Sequence, residues 1–285
     1  MSKQPVAVIT GASSGFGRLT AEAFAADGWR VYATMRNVRA NNASVAAELR
    51  RAGVAVVEID VTDDRSVDAA AAAILGEAGA VDVLINNAGT AFFGILEAYS
   101  PAVVEQQFAT NVIGPLRVNR AFLPAMRERR SGLVVYVSSV VGRLALPYSG
   151  VYTSSKWALE ALAEISSYEL APFGVDVAIV EPGAYETAIV TKFVGADDVA
   201  RVASYGAGAQ LAEDRVAAVV AQAQGRDPGD VARAILQLAN APAGSRPLRT
   251  VVPHNPGVEG INGAVAPIQR QVIESLGLVP VVQNA

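Results

Sequence analysis

Apolar runs and amphipathic stretches alternate along the chain. Residues 6–10 (V-A-V-I-T) form an unbroken apolar run of strand length, and a glycine-rich turn follows. Residues 16–27 then carry apolar side chains at helical spacing. The alternation repeats with strands predicted at 31–35, 54–59 and 83–86 and helices at 42–52 and 64–78, the first of these closed by Gly53. Pro101 is placed to open a helix, because its missing N–H costs nothing at the first helical position, and that helix is predicted to run to 129. Strands at 133–138, 175–180 and 248–252 and helices at 151–172 and 228–240 complete the pattern. Strands alternating with helices predict βαβ units around a parallel sheet, an α/β fold. The strands read as apolar runs because such a sheet is buried on both faces.

Two regions break the rhythm. Residues 184–225 are rich in Ala, Gly and Val, with two short helical patterns, and would form a lid or substrate loop beyond a strand end. The tail from Pro253 holds one amphipathic helix, expected at 265–275. No linker, composition shift or repeat marks a second domain. Residues 1–285 are therefore expected to form one domain, with 184–225 as its lid and 253–285 as a C-terminal extension.

Composition narrows the chemistry. Of the 285 residues 52% are hydrophobic and only 18% charged. With a mean hydropathy of +0.31, that excludes a disordered chain. Net charge is −4 and no basic stripe exists, so no nucleic-acid partner is expected. There is no cysteine, and His254 is the one histidine, which leaves neither thiol chemistry nor a plausible His-based triad or metal site. Residues 1–5 carry no cationic segment with an apolar core behind it, and no stretch is long and apolar enough for a membrane span. The expected location is the cytoplasm, with no membrane partner.

The turn after the first strand reads Thr10-Gly11-Ala12-Ser13-Ser14-Gly15-Phe16-Gly17. Gly11 permits the tight turn, Gly15 lets backbone approach a pyrophosphate, and Gly17 allows close helix–strand packing. The helix start offers free N–H groups and a positive dipole end to phosphates. The second strand bears on the choice of cofactor. An NAD site usually holds Asp or Glu about 20 residues beyond the glycines, on the ribose 2′-hydroxyl. Here Met35 stands in that place and Arg36 follows. A carboxylate would repel a 2′-phosphate and a guanidinium would clamp one, so NADP(H) is favoured over NAD(H). Arg39 would assist, and Ser14 would hydrogen-bond the same phosphate.

Tyr152 and Lys156 lie four apart on a predicted helix and share a face. With three lysines and eight tyrosines, chance yields fewer than ~0.1 such pairs. A carbonyl reductase must give a proton to oxygen as hydride reaches carbon, and a phenol with a pKa of about 10 is a poor donor for neutral pH. A neighbouring ammonium favours phenolate and is expected to lower that pKa. Ser138 and Ser139 end the fifth strand, where ligands of open α/β sheets bind. Alternation lets only one of them face the site, and the pattern does not choose.

These residues together resemble the short-chain dehydrogenase/reductase family, in its compact, NADP-preferring form, over about residues 4–256. The motifs carrying the likeness are T-G-A-S-S-G-F-G, Asn86-Asn87-Ala88-Gly89, Asn111, Ser139 with Tyr152 and Lys156, and Pro182-Gly183. The resemblance implies a Rossmann-type, doubly wound parallel sheet of seven strands in the order 3-2-1-4-5-6-7, with helices on both faces. It implies Tyr152 as general acid/base, Lys156 on the nicotinamide ribose, Ser139 rather than Ser138 on the substrate oxygen, and Asn111 holding a water that links the lysine to solvent. It places Gly11, Ser13, Ser14, Gly15, Phe16, Gly17, Arg36, Asp60, Val61, Asn87, Ala88, Gly89, Pro182, Gly183 and Thr187 around the dinucleotide. The implied activity is NADPH-dependent reduction of a ketone or aldehyde, reversible as secondary-alcohol oxidation, by a homodimer or homotetramer. V-Y-A-T-M-R also resembles the steroid- and retinol-reducing branch, which points to an apolar small-molecule substrate. Leu144, Leu146, Tyr148, Tyr185, Phe193 and Tyr205 are candidate pocket residues. The competing readings are a cofactor-binding regulatory or scaffold protein on the same fold, which an intact Ser-Tyr-Lys set argues against, and an epimerase or dehydratase.

Overall fold

A computed structural model describes residues 4–187 and 193–278. Its centre is a sheet of β1 (Val6–Ile9), β2 (Arg30–Met35), β3 (Ala55–Glu58), β4 (Val83–Asn86), β5 (Gly132–Val137), β6 (Val175–Pro182) and β7 (Arg249–Val252). The order is β3-β2-β1-β4-β5-β6-β7 and every neighbouring pair is parallel, as expected. The helices are α1 (Gly15–Ala26), α2 (Ala43–Arg51), α3 (Asp64–Ala78), α4 (Pro101–Phe108), α5 (Gly114–Arg129), α6 (Gly150–Leu170), α7 (Val199–Ser204), α8 (Ala207–Ala223), α9 (Gly229–Asn240) and α10 (Pro256–Ser275).

The apolar strand runs split between two cores because successive side chains point to opposite faces. Ala7 and Ile9 of β1, Val83 and Ile85 of β4 and Leu133 and Val135 of β5 pack in one core with Phe24 of α1, Leu49 of α2 and Ile235 of α9. Val6, Val8, Leu84, Val134 and Tyr136 pack in the other with Ile74 of α3, Phe122 of α5 and Leu159 of α6. Since all strands run the same way, their C-terminal ends line up along one edge. There the chain leaves β1 at Thr10, β2 at Arg36, β4 at Asn87 and β5 at Ser138.

Two helices differ from the sequence expectation. The single helix expected at 101–129 is α4 and α5 joined by a π-helical turn, Ala109–Ile113. Pro115 has no N–H to give the carbonyl four residues back, that of Asn111, and the helix widens there. The tail helix begins nine residues earlier than expected, at Pro256 rather than 265. Its start is fixed by Asn255, whose Oδ1 accepts from the N–H groups of Gly257 and Val258, with Pro256 behind it. Gly257, Gly260 and Gly263 hide this helix from propensity, and Val258, fully buried, anchors it.

Candidate active site

A cleft runs along the C-terminal edge of the sheet. Gly11, Ser13, Ser14, Gly15 and Phe16 form one wall, Arg36, Asp60 and Val61 another, and Asn87, Ala88, Gly89, Tyr152, Lys156 and Thr187 also line it.

The glycine turn is built as its spacing requires. Gly11 has φ +68°, and a Cβ there would lie 2.7 Å from Ala88 Cα. A Cβ on Gly17 would lie 2.3 Å from Asn87 Nδ2 and 2.6 Å from the Gly11 carbonyl. Both sites exclude side chains, and Gly17 packs behind the cleft rather than in it. Asn87 fastens the turn by donating to the carbonyls of Thr10 at 2.8 Å and Gly11 at 3.2 Å. Thr10 Oγ1 answers by accepting from the N–H groups of Asn87 and Ala88, each at 3.0 Å. No side chain caps the start of α1. That cradle of bare backbone at a helix N-terminus fits a dinucleotide pyrophosphate.

At the far end Arg36 is 60% exposed and reaches Asp60 Oδ2 at 3.8 Å. Burial pushes the Asp60 carboxyl up, but the hydroxyl and backbone N–H of Thr62 outweigh it, so the group stays below its ordinary value. Asn37, Asn41 and Asn42 also line this end. Sequence reading missed these asparagines, although their clustering just after β2 was a usable signal. Asn42 Nδ2 donates to the Arg36 carbonyl at 2.6 Å and fixes the arginine's backbone.

At the other end α6 presents Tyr152 and Lys156 on one face. The Lys156 Nζ lies 5.8 Å from the centre of the Tyr152 ring and donates to the Val137 carbonyl at 2.9 Å. Burial pushes the lysine down to about 8, against the nearby Glu160 charge, which raises it. Burial pushes the Tyr152 phenol up to about 12, and the Ser139 hydroxyl pulls it down. The expected depression by Lys156 is thus not produced by these side chains alone: desolvation of a phenolate prevails over an ammonium committed to β5.

The two serines at the end of β5 differ in their surroundings: Ser138 lines the cleft, and the Ser139 hydroxyl lies against Tyr152. Ser139 lies on the Tyr152 side, donates to the Pro182 carbonyl at 3.3 Å and accepts from the Val141 N–H at 3.4 Å. The Ser138 hydroxyl points the other way, toward Gly142 and Glu160. Asn111, on the π turn, accepts from the Thr90 N–H at 2.9 Å and donates to the Thr90 carbonyl at 2.9 Å and Ser155 Oγ at 3.1 Å. Gly89 lies between it and Lys156, a Cβ there falling 3.4 Å from Asn111 Oδ1 and 3.8 Å from Lys156 Nζ. Pro182 meets the site through its carbonyl, while Gly183 packs toward Pro253.

The candidate pocket residues scatter. Tyr185 is core, 2% exposed, its ring edge-on to Phe16 at 5.6 Å. Tyr205 is exposed and donates to Glu97. Tyr148 packs against the Ile95 cluster. Leu144 follows the short turn after Ser139, its N–H on the Val140 carbonyl, and Leu146 accepts from Ser149 Oγ through its carbonyl. Phe193 does approach: it sits 4.5 Å from Phe93, whose ring is 5.6 Å from that of Tyr152. Phe93 was not foreseen, because its run Ala91-Phe92-Phe93 reads equally as core. Among the described residues no group of three His, Asp or Glu could hold a metal, and no helix is long and apolar enough to cross a membrane.

Known proteins are similar to this chain in sequence and fold. The mouse 17-beta-hydroxysteroid dehydrogenase type 1 is 41% identical over 197 residues, which are 67% of this chain and 57% of that protein. The chain thus spans under two thirds of the length of the curated relatives it matches first. A short-chain dehydrogenase from Streptomyces avermitilis superposes with a TM-score of 0.76 at 35% identity, covering 97% of this chain and 98% of its own. A short chain dehydrogenase/reductase from Burkholderia phymatum, solved with NAD, gives 0.75 at 28% identity over 97% of each chain. Other similar structures hold NADP, NADPH or a hydroxylated NADP. The family model described as short chain dehydrogenase matches residues 5–198, and on that match and these likenesses the chain belongs to the short-chain dehydrogenase family.

Proposed function

We propose that the protein is an NADP(H)-dependent carbonyl reductase, reversible as a secondary-alcohol dehydrogenase, acting on an apolar small molecule. The observation that carries this reading is that Tyr152 and Lys156 line the cleft that also holds the glycine cradle, with the Ser139 hydroxyl against the Tyr152 phenol. A bound dihydronicotinamide would supply the hydride. Tyr152 would give its proton to the carbonyl oxygen, and Ser139 would hydrogen-bond that oxygen and orient it. Lys156 would hold the ribose end and keep a positive charge near the phenol. Asn111 would keep the Thr90 strand-end loop and Ser155 in register beside Lys156.

The preference for NADP rests on Arg36 standing where no acid follows β2. The apolar substrate is supported by Phe93 and Phe193 beside Tyr152 and by the steroid dehydrogenase among the relatives. In the same reading the whole chain is one unit, 184–225 covers the substrate end, and the protein is a homodimer or homotetramer. Exposed Ile113, Leu116 on α5, and Trp157 and Ile165 on α6, give such an assembly an apolar face. The test is loss of NADPH absorbance with carbonyls of graded size, beside NADH. Tight cofactor binding without turnover of any carbonyl would favour the regulatory reading instead.

A further inference from the structure

Charged groups are buried where α6 passes β6 and β7. Glu160 of α6 is 2% exposed and Glu181 of β6 is fully buried. One guanidinium, that of Arg249 on β7, serves both. Its Nε lies 3.1 Å from Glu160 Oε2 and 3.5 Å from Glu181 Oε1, while its Nη2 is taken by Glu164 Oε2 at 2.6 Å. Three carboxylates therefore meet one cation. Arg143 is held at one remove: its Nε donates to Asn262 Oδ1 at 2.8 Å, and Asn262 Nδ2 donates to Glu181 Oε2 at 2.7 Å. A buried carboxyl without enough opposite charge takes up a proton rather than remain ionised.

Hydrogen bonding gives a second, independent sign of a missing proton. Glu160 Oε1, Glu181 Oε1 and Ser138 Oγ are buried and receive no hydrogen bond, Glu181 Oε1 having only the longer ion-pair contact to Arg249, and Ser138 is only 3% exposed. Two of these oxygens converge at Gly142, where a Cβ would lie 2.7 Å from Ser138 Oγ and 3.1 Å from Glu160 Oε1. Buried polar atoms are rarely left unpaired in this way. A carboxyl proton, with the hydroxyl hydrogen of Ser138, supplies the donors the cluster lacks.

The cluster adjoins the active site through β5. Lys156 sits one turn before Glu160 on α6, and its Nζ donates to the carbonyl of Val137, the residue next to Ser138. We propose that Glu160 and Glu181 share one proton around Arg249 and act as positioning residues, the charge left on Glu160 keeping Lys156 an ammonium held to the end of β5. This rests on the reading that Lys156 serves the nicotinamide end of the cleft. The groups facing the pair are Lys156, Glu164 and Tyr168 on α6, Arg249 on β7 and Arg143 after β5; α10 contributes the uncharged Asn262. Burial first, and then the Glu160 charge, push Glu181 up to about 7, while Asn262, Arg249 and Arg143 pull it back.

The chain has three lysines, Lys3, Lys156 and Lys192, so the Lys156 signal in protein labelled with carbon-13 at lysine is readily assigned by its loss in Lys156→Met. The measurement is its titration midpoint in cofactor-free wild-type protein, Glu160→Gln and Glu181→Gln. Glu160→Gln removes the retained charge and should lower the midpoint by about one pH unit, a tenfold change in proton affinity. At the lysine's midpoint, about 8, the shared proton has already left. Glu181→Gln therefore removes one negative charge and should lower the midpoint too, by less than Glu160→Gln because Glu160 is the carboxylate one turn from Lys156. This keeps the test alive if Glu160→Gln does not fold. Infrared spectra of the wild type should show a protonated-carboxyl band that vanishes as pH rises through neutrality and is missing in Glu181→Gln. Equal lysine midpoints in the folded proteins, or a neutral-range carboxyl band that survives Glu181→Gln, would overturn the proposal. Neither readout needs turnover, so a failed reductase assay would count against the function and not against the shared proton.

Discussion

At the scale of single residues, the phenol of Tyr152 and the amine of Lys156 set the chemistry. Replacing Tyr152 by Phe removes one oxygen and should cut turnover about 10³-fold while leaving NADPH affinity nearly unchanged, as read by initial rates and nicotinamide fluorescence. Residual activity within tenfold of wild type would discard it as the acid. The pH dependence has a definite sign. Tyr152 keeps its proton up to about 12, so it does not limit carbonyl reduction at neutral pH. Lys156, pushed down to about 8, loses its charge as pH rises through that value. The rate of reduction should therefore be flat below about 8 and fall above it, in a profile of kcat/KM; a flat profile to pH 10 would contradict this. Arg36→Ala should weaken NADPH by about 10- to 100-fold, the worth of a charge-assisted hydrogen bond, and leave NADH unchanged. Equal losses in calorimetric titrations would show that Arg36 does not read the 2′-phosphate.

At the scale of elements, the strands were legible because burial on both faces makes them unbroken apolar runs, and their parallel order followed from the helices between them. The glycine turn was legible because Gly11 and Gly17 answer a backbone need that no other residue meets. Gly17→Ala should accordingly lower the melting temperature and abolish cofactor binding together, since a Cβ there meets Asn87 and the Gly11 carbonyl at under 3 Å; calorimetry showing a native melting temperature would refute the packing argument. What stayed hidden depends on partners remote in sequence. The choice of Ser139 needs the Tyr152 side of α6, and the pattern of β5 alone leaves Ser138 equal. The widened turn at Ala109–Ile113 has no periodicity of its own within an apolar helix pattern. Tyr185 was misread as a pocket residue because an aromatic after a strand end looks the same whether it faces a ligand or, as here, Phe16.

At the scale of the whole molecule, the large apolar side chains left in water include Leu116 of α5 and Trp157 and Ile165 of α6, on neighbouring helices. Leu116 and Trp157 are 47% and 48% exposed. Changing both to Glu should convert an oligomer to a monomer without disturbing the far-ultraviolet spectrum, as followed by light scattering; an unchanged mass would move the interface elsewhere. The π turn between α4 and α5 also has a bearing on chain length. It uses five residues where an ordinary coil closes its ladder with four. Deleting one residue there would let that ladder close as an ordinary α-helix with α4 and α5 nearly in their present phase, but it would re-aim the side chains of the turn and swing Asn111 off Thr90. A gap of one position in this stretch is thus a rotation of the amide that steadies the lysine's neighbours, and it would be felt in catalysis before it was felt in the fold.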